Sequence, residues 1–155
     1  MRLLFAIPLC ALALLGQKYS GPRPPKPDIP YLVHADELVA TEATEAKEQP
    51  RKDDILYTIA GANSPARTPL ASPILLIQSE KIDVSRLQLY KLDSRSGQRE
   101  ILFRKKKGGP KPIRLEVSNL GAGNLYRIEV DETLENGEYS LTPEGSNQVF
   151  CFAVY

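Results

Sequence analysis

The chain has 155 residues, of which 42% are apolar and 25% charged, and its formal net charge is +1. That length allows one domain with a core of its own, and the balance excludes a disordered acidic chain, a collagen-like repeat and a polybasic nucleic-acid binder. Tryptophan is absent, so the core must be built from Ile, Leu, Val, Tyr and Phe.

The first sixteen residues differ in kind from the rest. Met1-Arg2 is a short basic start, Leu3 to Leu15 is an uncharged apolar run, and Gly16 precedes the polar Gln17-Lys18. This is the pattern of a signal peptide over 1–16, cut between about 16 and 20. A spanning helix needs about 20 apolar residues, and Pro8 interrupts this run. The expected location is periplasmic or secreted, with no transmembrane segment after cleavage. The alternatives are an anchor through an uncleaved N-terminal segment or through a lipidated Cys10, although the residues before Cys10 fit a lipidation site poorly.

Removing the leader leaves Cys151 without an internal partner. Flanked by Phe150 and Phe152, it reads as a small buried apolar side chain rather than a reactive thiol. Residues 17–30 hold Pro22, Pro24, Pro25, Pro27 and Pro30 and read as a stiff, extended spacer.

From residue 31 onward the chain reads as one β domain. Tyr31–Val39 predicts a strand, and the low-complexity stretch 40–48 reads as an extended edge rather than a short helix. After the Gln49–Asp54 turn, Ile55–Ala60 completes a hairpin. A loop over 61–72 precedes Ile74–Gln78, an apolar run that suggests burial on both faces. Leu87–Leu92, a turn at 93–98 and Arg99–Phe103 follow. Ile113–Val117 alternates apolar with charged, and beyond the 119–124 loop Leu125–Val130 is another strand. The spacing gives about eight strands and an all-β antiparallel sandwich.

The C-terminal Leu134-Glu-Asn-Gly137-Glu-Tyr139-Ser-Leu141 resembles the tyrosine corner of immunoglobulin-like sandwiches, in which the Tyr hydroxyl bonds back to upstream backbone. The resemblance implies an immunoglobulin-like sandwich with Leu134, Tyr139, Leu141, Phe150 and Phe152 in its core. Asp28-Ile-Pro-Tyr-Leu, Gly137-Glu-Tyr-Ser-Leu and Phe150-Cys-Phe make the chain similar to small exported bacterial proteins of uncharacterised function, of the acidobacterial kind. That similarity implies no activity.

The residue types present exclude more chemistry than they supply. His34 is the only histidine, so a His/Cys zinc site cannot be assembled within one chain, and no nucleophile elbow, phosphate loop or dinucleotide fingerprint is present. No cofactor or metal is implied. Asp36-Glu37, Asp53-Asp54 and Asp131-Glu132 lie outside any calcium-loop pattern and read as turn carboxylates. Charge is blocked along the chain: 8 acids and 3 bases over 28–54, 3 acids and 11 bases over 81–114, 7 acids and 1 base over 115–155. The basic block peaks at Arg104, Lys105, Lys106, Lys107 and Lys111, which read as the tip of a hairpin. These residues are the candidates for contact with an anionic envelope surface, against the plainer reading of a solvated or internally paired loop. The expectation is a monomeric, non-catalytic binding or accessory module of the envelope or secreted space. Its partner would be an envelope protein or anionic surface component and not nucleic acid. The alternative is a small carboxylate-dependent envelope hydrolase.

Overall fold

Strands rich in β-branched and aromatic residues, separated by Gly, Pro, Asn and Asp turns, leave the chain no competing helical pattern. The computed structural model describes residues 18–106 and 108–155, and its regular structure is β apart from one 3-10 turn at Val84–Arg86. The leader expected at 1–16, with Cys10, and the tip residue Lys107 lie outside the described residues. Among the described residues no helix is long and apolar enough to cross a membrane.

The fold is an all-β antiparallel sandwich of thirteen strands. One layer is a five-stranded sheet. It is made by β1 (Tyr31–His34), β2 (Glu37–Ala40), β7 (Ile74–Gln78), β10 (Leu115–Asn119) and β11 (Leu125–Val130), in the order β10-β11-β7-β1-β2. The other layer holds β3 (Glu42–Glu45), β4 (Lys47–Arg51), β5 (Asp54–Ala60), β8 (Leu87–Arg95), β9 (Gln98–Arg104), β12 (Gly137–Pro143) and β13 (Gln148–Val154), in the order β3-β13-β12-β8-β9-β5-β4. The two-residue β6 (Arg67–Thr68) adds to β13 in parallel, unlike every other pairing.

More strands form than the expected eight because several predicted units subdivide. Tyr31–Val39 is itself a hairpin, turned at Ala35 with φ 52°. The loop at 61–72 contributes β6. The turn at 93–98 shrinks to Ser96-Gly97, whose φ values of 51° and 77° suit a two-residue hairpin loop and let β8 and β9 run on to Arg95 and Gln98.

The second layer is rolled up. β3 and β4 stand at opposite ends of its strand order, yet only Ala46 separates them in sequence. Residues 42–51 therefore act as one strand whose first half pairs with β13 and whose second half pairs with β5. Both sheet edges end on the same stretch of chain, and the sheet closes on itself.

Closure gives strands β8, β12 and β13 two apolar faces. One face makes the core between the layers: Leu87 and Leu89, Tyr139 and Leu141, Phe150, Phe152 and Val154 pack on Leu32, Leu75, Ile77 and Ile128 of the five-stranded sheet. Leu75 and Ile77 point into this core while Leu76 is also buried, which accounts for the unbroken apolar run of β7. Tyr139 is 1% exposed, stacks on Phe152, and donates its hydroxyl to the Glu135 carbonyl at 2.7 Å. Gly137 takes φ 156° at that corner, where a Cβ would lie 3.3 Å from the Lys91 side chain. The opposite face looks into the rolled sheet, where Ala46, Ile59, Leu92, Val149 and Cys151 form a second, smaller core.

Candidate functional site

Strand register decides which side chains enter the roll. Ile55, Tyr57 and Ile59 on β5 stand opposite Phe103, Ile101 and Arg99 on β9, so these six share its inner face. Ser140 opposite Tyr90 and Cys151 opposite Glu42 extend the same face through β12, β8, β13 and β3.

One end of the roll is plugged by charge. Arg99, fully buried, crosses from β9 to grip Glu42 of β3 through two hydrogen bonds of 2.6 and 3.0 Å, and donates to the carbonyls of Ala60 and Gly61 at 2.7 and 2.9 Å. Glu138 of β12 lies 3.8 Å from the guanidinium and accepts the Ser64 amide hydrogen at 2.9 Å. Burial opposes the charge on Arg99, but the bond to Glu42 and the surrounding negative groups hold its pKa above the ordinary value. Burial raises the Glu138 pKa, against the lowering influence of the Ser64 amide and Arg99. Cys151, beside this cluster and fully buried, has its thiol pushed up to about 12 by burial, so the thiolate needed for nucleophilic chemistry is not formed near neutral pH.

The other end is open. It holds a cavity of about 360 Å³ lined by Ala46, Ile55, Ile59, Ile101 and Val149, by the rings of Tyr57, Tyr90 and Phe103, and by the polar Glu48, Gln88, Ser140 and Thr142. The rings of Tyr57 and Phe103 meet edge-to-face at 5.5 Å and 88°, and those of Tyr90 and Phe103 at 5.4 Å and 79°. The β12–β13 hairpin supplies the rim at Gly145–Asn147. A mostly apolar hollow with a few polar groups fits the usual ligand cavity, of roughly 300–1,000 Å³.

A wider hollow of about 580 Å³ lies at the plugged end, lined in part by Arg67, Asp93 and Glu138. Its two carboxylates do not converge. Leu92 pairs with Glu138, so the next residue along β8, Asp93, points to the opposite face of the sheet.

The tip residues singled out from sequence do not form a hairpin. β9 pairs with β5 and β8, whereas β10 belongs to the other sheet, so the chain changes layers between these two strands, and the Ile113 amide donates to the Leu89 carbonyl at 2.7 Å before β10 begins. Arg104 closes β9 opposite Asp54, on the outer side of the roll because Phe103 points inward. The Lys105 amide donates to the Asp53 carbonyl, Lys106 reaches the Asp53 carboxylate at 3.6 Å, and Lys111 is exposed. His34 sits at the end of β1, with Nε2 buried and without a hydrogen-bond partner among the described residues. No cluster of three or more metal-ligating side chains occurs among the described residues.

The cavity residues were missed in the sequence because they come from five stretches that only closure brings together. Local pattern gave no clean signal for it: Ile101, Leu102 and Phe103 are consecutive apolar residues, so alternation does not mark which of them face inward. The fold and cavity define an all-β sandwich with one rolled layer open at one end. No family model, curated protein or solved structure matches the chain.

Proposed function

We propose that the chain is a non-catalytic binding module of the cell envelope or secreted space, whose ligand enters the open end of the rolled sheet. The cavity at that end carries the proposal, because a small closed sheet ordinarily fills its interior with side chains, and here about 360 Å³ stays open among aromatic and aliphatic walls. The leader-like residues 1–16 support an exported location. The non-catalytic reading is supported over the hydrolase by the carboxylates: Glu48 stands alone in the cavity lining, and Glu42 and Glu138 are engaged by Arg99 at the far end. Contact of Arg104, Lys105, Lys106, Lys107 and Lys111 with an anionic surface is a separate proposal, and Asp53 and Asp54 already offset part of that charge.

The neutral fluorophore N-phenyl-1-naphthylamine tests the cavity. Its emission should rise on titration into the native protein, and Ile101→Trp, which fills the cavity, should abolish the rise while the circular dichroism spectrum keeps its β signature. Ala46→Leu, a smaller intrusion, should weaken binding severalfold. Undiminished emission with both filled variants would remove the cavity from the account.

A further inference from the structure

The walls of the cavity also indicate the charge of its ligand. Among the described residues the lining contains no Lys or Arg, and its one charged group is Glu48, on β4 beside Tyr57. Glu48 pairs with no cation among the described residues, and its pairing with Tyr57 across β4 and β5 puts its carboxylate on the cavity side of β4. Phe103 stands nearly perpendicular to both Tyr57 and Tyr90, so the rings make walls of different orientation around one space. The electrostatics of the tyrosines agree: burial raises both phenol pKa values, and Glu48 at Tyr57 and Glu144 at Tyr90 raise them further.

We propose that the open end binds a small organic cation, an alkylated ammonium carrying an apolar or aromatic group, through the rings of Tyr57, Tyr90 and Phe103 and the carboxylate of Glu48. A ring face attracts a cation within about 6 Å of its centroid, and methylated ammonium suits such walls because its charge is spread over an apolar surface. Glu48 supplies the balancing charge at the entrance. The aliphatic floor of Ile59, Ile101 and Val149 takes the uncharged part of the ligand, which a hydrated metal ion or a bare ammonium would leave unused. An anion would meet the carboxylate of Glu48.

This inference rests on the cavity being the binding site, and the test separates the two. Phenyltrimethylammonium, its neutral isostere tert-butylbenzene, and benzenesulfonate are each used to displace N-phenyl-1-naphthylamine from the native protein and from Glu48→Gln. Glu48 is exposed, so its substitution leaves the fold intact. The cation should displace the probe at a concentration about tenfold or more below that needed for the neutral isostere. Glu48→Gln should reduce that preference severalfold without changing displacement by tert-butylbenzene. Equal or better displacement by tert-butylbenzene or benzenesulfonate, or a cation preference untouched in Glu48→Gln, overturns the inference and leaves the cavity as the binding site. Failure of the fluorophore itself to bind the native protein overturns both.

Discussion

Tyr139 and Arg99 hold the molecule by different means. The Tyr139 ring lies in the core between the layers, and its hydroxyl reaches back four residues to the Glu135 carbonyl. Tyr139→Phe keeps the packing and loses only that bond, so it should lower unfolding free energy by about 1 kcal/mol in urea titration and leave probe binding unchanged. Arg99 presents the opposite case. Removing its charge leaves Glu42 and the buried Glu138 without the cation that balances them, and Arg99→Met should cost about 3–5 kcal/mol by the same measurement. The role of Tyr139 was legible in the sequence, because the motif that carries it is local, from Leu134 to Leu141. The role of Arg99 was not: in the sequence it is one of 11 bases in a block that reads as surface charge, and its partners lie 57 and 39 residues away along the chain.

At the scale of the element, the decisive piece is the strand 42–51. Its composition, Glu-Ala-Thr-Glu-Ala-Lys-Glu-Gln-Pro-Arg, is close to a solvated low-complexity segment, and an extended edge was as much as local pattern could support. What pattern cannot show is that the two halves of one edge strand serve two different edges. That depends on Ala46, buried between them, and on the Glu42 that Arg99 grips. The N-terminal connection is fixed in a similar way. Residues 18–30 form neither helix nor strand, yet Asp28, at φ 57°, accepts the amide hydrogens of Glu80, Lys81 and Ile82 through Oδ1. Burial works to raise the Asp28 pKa, but these three bonds outweigh it and hold the value below the ordinary 3.8. A folded-state pKa below the unfolded one gives stability that is complete above the unfolded value and disappears as pH falls through the folded value. Asp28→Ala should therefore lower the melting temperature at neutral pH, and the difference from the native protein should shrink as pH falls below 3.8. A difference that stays constant into acid would mean that the carboxylate charge contributes nothing.

For the whole molecule, the blocks of charge in the sequence become contacts between distant segments. The basic block over 81–114 meets both acidic blocks: Arg99 pairs with Glu42, Lys106 with Asp53, Lys91 with Glu135 and Arg114 with Asp131. Most of these pairs are exposed and add little stability individually, but together they set the basic block against both acidic blocks. The β class and the antiparallel sandwich were legible because alternation and turn residues are local signals. The open end of the roll was not, because its walls are the inner faces of strands whose neighbours are fixed only when the sheet closes.

The most direct test of that open end is an amide chemical-shift titration of the native protein with N-phenyl-1-naphthylamine. Binding in the cavity predicts shifts concentrated at Tyr57, Tyr90, Ile101, Phe103 and Val149, fading toward Arg99 and absent from β10 and β2. Shifts centred on the five-stranded sheet, or spread evenly over both layers, would contradict the account.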